Sequence, residues 1–170
     1  MDDEDWADRH VARWRDHWIG VTFEDDVEAI VVRMGRIMRH FKAGTQKALS
    51  TVGLQDFEYD TLHNLMIRDT PGHASPSDLA ADLGISPAGM TGRLDALERS
   101  GWVQRRASAD DRRRVDVEVT KAGVDIWRKA MDLRGQSEDE VVHVLDAAER
   151  TTLAALLKKM TLAIEDASGG

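Results

Sequence analysis

The sequence predicts a mainly α-helical chain with one small β-hairpin, flanked at both ends by longer amphipathic helices. Three observations predict it. First, Ser75-Pro76 and Ser86-Pro87 each place an N-capping hydroxyl before the residue favoured at the first helical position, so two short helices start eleven residues apart. Second, Val115, Val117 and Val119 alternate with Asp116 and Glu118, the period of a strand with one buried face. Third, apolar residues recur every three to four positions from Val27 to Phe41 and again from Leu153 to Ile164.

Each element follows from its residues. Trp6, His10, Trp14 and Trp18 fall on one face of an N-terminal helix, expected to pack that aromatic face onto the body. Gly20 and Thr22 mark a break. A long helix then runs from Glu24 to about Thr51, with Val27, Ile30, Val31, Met34, Ile37, Met38 and Phe41 in one stripe, and Gly53 ends it. Another helix spans 55–69, with Phe57, Leu62, Leu65 and Met66 inward, and Thr70-Pro71-Gly72 turns the chain. In the two short helices Leu79, Ala80 and Leu83 line one face of the first. Met90, Leu94 and Leu97 make the i, i+4, i+7 stripe of the second, with Gly84 and Gly101 just past the ends. Residues 103–106 form the first strand of the hairpin and 115–119 the second. A helix from Thr120 carries Ile126, Trp127 and Met131; Gly135 is expected to kink it and Ser137 to restart it. A last helix covers 147–167.

Helix, tight turn, helix, strand, basic loop, strand is the order of a winged helix-turn-helix, whose second helix enters a DNA major groove. The expected organisation is N-terminal helices over 1–52, a winged unit over 53–123 and C-terminal helices over 124–170. Terminal helices that cannot all bury their apolar faces in so small a chain predict a homodimer.

The net charge of −8 is unusual for a DNA binder, but its distribution is informative. Ten acidic residues (2, 3, 4, 5, 8, 16, 24, 25, 26, 28) lie before residue 29 against three arginines. From Ser86 to Val115 seven arginines (93, 99, 105, 106, 112, 113, 114) face four acids. The chain has no cysteine, no apolar run of membrane-spanning length and no signal-peptide pattern, so a cytoplasmic protein is expected, without membrane association. The six histidines form no metal-ligand motif, and the sequence contains no P-loop, dinucleotide fingerprint or nucleophile elbow. No cofactor and no enzymatic activity are expected.

Ser86, Pro87, Ala88, Gly89 and Thr91 occupy the turn of the second helix that would face double-stranded DNA. Their hydroxyls suit base edges or phosphates, and Ala88 suits a thymine methyl. Gly89 and Gly92 each cost a helix about 1 kcal/mol. They either avoid a clash with a neighbouring helix or let the backbone approach DNA. Arg112, Arg113 and Arg114, held between two strands, suit the narrow minor groove; the plainer reading is a solvated charged loop.

The stretch SPAGMTGRLDALERSGWVQRR, the wing DDRRRVDVEV and the closing T-K-A-G at Thr120 to Gly123 resemble the MarR-type transcriptional regulators, and the likeness extends over about Asp26 to Glu165. Its most specific part is the pair Asp111 and Arg113 followed by alternating residues and Thr-x-x-Gly. The resemblance implies interlocked dimers, repression, and a role for Asp111 in pairing with Arg113 to hold its direction. One branch of the family responds to urate and carries an extra N-terminal helix, as here. Its ligand residues would correspond to Trp14, Asp60, Arg93 and Arg105, with Trp18 for Trp14 and Arg106 for Arg105 as the other assignments. The implied ligand is a small anion such as urate, or a phenolic or polycarboxylic acid. Two other readings compete. Against a non-specific chromosome-organising protein stands the acidic net charge. Against an enzyme or sensor using the fold for protein contacts stands the arginine run.

Overall fold

The computed structural model describes residues 4–15, 24–107 and 115–168. In chain order these form α1 (Trp6–Trp14), α2 (Asp25–Val52), α3 (Asp56–Met66), β1 (His73–Ala74), α4 (Pro76–Asp82), α5 (Pro87–Arg99), β2 (Val103–Ala107), β3 (Val115–Val119), α6 (Lys121–Val142) and α7 (Ala147–Ser168).

The expected caps set the winged unit. Ser75 Oγ accepts from the Asp78 N–H at 3.2 Å and Ser86 Oγ from the Gly89 N–H at 3.1 Å. Gly84, at φ 61°, makes the left-handed turn between α4 and α5. Beneath these helices Leu62, Leu65, Leu79, Met90, Leu94, Leu97, Val103 and Val117 are almost wholly buried. Each such side chain contributes about 1.5–3 kcal/mol of transfer free energy. The sheet has three strands rather than the hairpin's two, in the order β1-β3-β2 and all antiparallel. β1 has two residues, too short for any periodicity to show in sequence. It exists because β3 offers a free edge, pairing His73 with Glu118 and Ala74 with Val117.

Three expectations change. α1 does form, but the side chains it buries are Ala7 and Val11; Trp6 and Trp14 each stay 38% exposed. Small side chains let α1 approach α2 closely, and the rings lie along the flank, with Trp6 stacked on His10 at 5.1 Å and the Arg36 guanidinium 5.7 Å above Trp6. Arg33 fastens the helix by bonds to Asp5 at 2.9 Å and Asp8 at 2.6 Å. Those bonds hold the Asp5 carboxyl well below the usual carboxylate range. Trp18 lies outside the described residues. α3 ends at Met66, and Arg68 beyond it pairs with Asp82 of α4. α6 runs unbroken through Gly135 to Val142. Its long contact with α2 overrides the weak helix propensity of glycine. At the crossing, a Cβ on Gly44 would come within 2.3 Å of Ser137 Oγ, so the missing side chain of Gly44 makes room for Ser137 of α6.

α3 and α6 are joined by an aromatic and polar stack. The Tyr59 and His63 rings stack at 5.3 Å, Trp127 Nε1 donates to His63 Nδ1 at 3.3 Å, and Arg134 Nη1 donates to Tyr59 Oη at 2.9 Å. Burial, then the Arg134 charge, push the His63 pKa below its ordinary 6.5, while Asp60 opposes them. α7 stands apart: every residue from Thr151 to Ala167 is exposed, Leu153, Leu156, Leu157, Met160 and Ile164 among them.

This packing has two testable consequences. A Cβ at Gly123 would lie 2.1 Å from the Trp102 carbonyl oxygen, whereas at Gly135 it meets nothing within 4 Å. In urea titrations Gly123→Ala should lose about 1–3 kcal/mol and Gly135→Ala should lose none; equal behaviour of the two would contradict the placement of α6. Folding favours the neutral form of His63, so its contribution is complete above the ordinary value of 6.5 and is lost as pH falls through the lowered folded value. Stability should fall as pH drops below the ordinary histidine value of 6.5, and His63→Gln should flatten that fall. An unchanged slope in the variant would show that another group titrates there.

Candidate nucleic-acid interface

α5 has two unlike faces. Met90, Leu94 and Leu97 are at most 1% exposed. Ser86, Pro87, Ala88, Gly89, Thr91 and Gly92 all lie exposed on the other side. Nothing bulkier than threonine projects from that first half. Thr91 Oγ1 donates to the Pro87 carbonyl at 3.0 Å, so its lone pairs face outward as acceptors. Ser86 Oγ accepts from the Gly89 N–H, leaving its own proton free to donate. Among the described residues no neighbouring helix requires the glycines. A Cβ at Gly92 meets nothing within 4 Å, and at Gly89 only Ser86 Oγ, at 3.3 Å.

Beyond this turn the helix becomes charged. Arg93 is half-buried, its guanidinium 5.9 Å from the centre of the Phe57 ring of α3. Asp60 sits one turn from Phe57 on α3 and is exposed. β2 alternates: Val103, Arg105 and Ala107 face α5, and Gln104 and Arg106 face the other way. Arg105 Nη1 donates to Asp95 Oδ1 at 2.6 Å and to Glu98 Oε2 at 3.2 Å. Gln104 and Arg106 instead meet Glu118 of β3, at 3.0 and 3.2 Å.

The structure therefore brings Arg93 and Arg105 to the same helix, with Asp60 on the helix that Arg93 packs against. Trp14 belongs to α1, which packs on α2, and the Arg13 guanidinium lies 5.8 Å from its ring centre. Asp111, Arg112, Arg113 and Arg114 lie outside the described residues. The sequence reading missed Asp95, Glu98 and Glu118. The available signal was two acids three apart on the exposed side of α5, followed by a strand that carries two arginines. Among the described residues no group of histidine and carboxylate side chains could hold a metal ion, and no helix is long and apolar enough to cross a membrane.

Comparison with known proteins agrees with this geometry. The MarR family model matches residues 60–115, from α3 to the start of β3. The chain is 30% identical over 137 residues to the HTH-type transcriptional regulator PecS of Dickeya dadantii (strain 3937), a match covering 79% of this chain and 82% of that protein. Among solved structures, the YusO protein of Bacillus subtilis superposes with a TM-score of 0.71 at 17% identity, over 84% of this chain and 99% of that one. A point mutant of MarR from E. coli, complexed with operator DNA, superposes with a TM-score of 0.58 at 24% identity, over 82% of this chain and 99% of that one. The winged unit, the family model that covers it and a relative matched over four fifths of its length establish that this chain belongs to the MarR family of transcriptional regulators.

Proposed function

We propose that this protein is a dimeric DNA-binding repressor whose hold on a pseudo-palindromic operator is released by a small planar anion. The observation that carries the DNA-binding part is the division of α5: an inner face pinned in the core, and an outer first half of small residues through which the helix backbone can approach base edges. Arg112, Arg113 and Arg114 would enter the flanking minor groove, with Asp111 orienting Arg113. The operator complex of E. coli MarR, which shares the fold, supports the same use of the winged unit. Dimerisation is supported by the apolar side chains left exposed on α2 and α7. Met34, Ile37, Phe41, Leu145, Leu153 and Leu157 line a groove of about 450 Å³ that a second copy would fill. Two-fold symmetry then sets half-sites about one helical turn apart.

The ligand is proposed as urate or a related planar anion, in competition with phenolic and polycarboxylic acids. Arg93 and Arg105 offer guanidinium forks, and Trp14, or Trp18 in its place, offers an aromatic face. Asp60 would repel the incoming charge and, through Phe57 and Arg93, shift α5.

Binding to the duplex upstream of the protein's own gene, in excess competitor DNA, should weaken with salt by about 0.9 log units per log unit for each phosphate neutralised. Gly92→Ala should raise folding stability by up to about 1 kcal/mol, since the site is open, yet weaken operator binding by about 1–3 kcal/mol. A stabilised variant that binds like wild type would show that the backbone of α5 does not approach DNA. Urate titration should quench tryptophan fluorescence and release the duplex together. Arg93→Ala should abolish the quenching, and Asp60→Asn should keep the quenching but blunt the release. No response to urate would remove that ligand and leave the repressor reading intact.

A further inference from the structure

We propose that Arg105 is a positioning residue: with Asp95 and Glu98 it fixes the angle of the wing against the recognition helix, and operator affinity depends on that angle. The inference rests on the DNA-binding function proposed above. Four hydrogen bonds converge on this one residue. Its Nη1 reaches Asp95 Oδ1 at 2.6 Å and Glu98 Oε2 at 3.2 Å, its Nη2 reaches the Thr91 carbonyl at 3.2 Å, and its backbone N–H reaches Glu98 Oε1 at 3.0 Å. Glu98 thus grips both the side chain and the main chain of β2. β2 is an edge strand, paired only with β3, and the Arg105 N–H points away from that ladder toward α5. An edge strand left alone can twist freely. Here its outward N–H is tied to the helix that reads DNA, two residues before the strand ends at Ala107.

Position, rather than stability, is what the clamp supplies. All three side chains are partly exposed, at 26%, 52% and 42%, and exposed ion pairs add little to folding. Three of its five guanidinium N–H groups bond two carboxylates and a carbonyl, and the two carboxylates offset its charge, so the clamp acts without Arg105 touching DNA. Its planar fork holds direction as well as distance.

The test exploits an opposition of signs. Asp95 and Glu98 are negative charges on a DNA-reading helix, so by simple electrostatics their neutralisation strengthens binding. The clamp predicts the reverse. Asp95→Asn/Glu98→Gln, and Glu98→Gln alone, should lose about tenfold in operator affinity with unfolding midpoints near wild type. Hydroxyl-radical protection should fade at the minor-groove positions flanking the half-sites and persist over the half-sites themselves. Arg105→Gln should show the same loss alone, and little further loss when added to the double variant. Tighter binding by the acid-neutralised variants, or an Arg105→Gln loss that is fully additive, would overturn the clamp and make Arg105 a direct DNA contact. An absence of operator binding by wild type would remove the DNA-binding reading, and this inference with it.

Discussion

The seating of α5 governs the rest of the molecule. Met90, Leu94 and Leu97 press its inner face onto Leu62, Leu65 and Leu79 below and onto Val103 and Val117 of the sheet beside it. Close packing on one side is what permits a bare surface on the other, where Ala88, Gly89, Thr91 and Gly92 contribute nothing to the core. The two glycines lower the intrinsic stability of the helix, and tertiary burial offsets that loss. α3 and α4 form the floor, the three-stranded sheet forms the side wall, and the Arg105 bonds fix the wall to the helix. A helix held in this way can meet a ligand or a nucleic acid without refolding.

Charge is divided along the same lines. The acidic N-terminal segment is partly neutralised by Arg33 and Arg15, which bind Asp5, Asp8 and Asp25, so α1 is held to α2 by ion pairs as well as by the burial of Ala7 and Val11. Such exposed pairs are weak singly and are screened by salt. The Tyr59, His63, Trp127 and Arg134 stack links α3, the floor of the reading unit, to α6, the partner of α2. It joins the long helices to the floor on which α5 rests.

Much of this was legible in sequence because the signals were local. Ser-Pro caps, the turn at Gly84, the 3-4 stripe of α5 and the alternating valines of β3 each depend on residues within a few positions. What was not legible depended on distant neighbours. β1 has two residues and exists only as a partner for β3. The helix break expected at Gly135 is absent because α2 holds α6 straight. The tryptophan spacing of α1 gave the helix correctly, but it did not show that Ala7 and Val11 would form the contact line. In the candidate site the small face of α5 could be read from the chain. The partners of Arg105 could not, since Asp95 and Glu98 resemble ordinary surface acids until β2 is laid beside them.

The proposed function requires two copies of this chain to present their α5 helices to one duplex with two-fold symmetry. The most direct measurement is selection of bound duplexes from a random pool, followed by sequencing. A two-fold symmetric dimer should enrich an inverted repeat whose half-site centres lie about 10 base pairs apart, and should lose binding when about 5 base pairs are inserted between them. Enrichment of a single unrepeated motif, or retention of the whole pool without sequence preference, would contradict it.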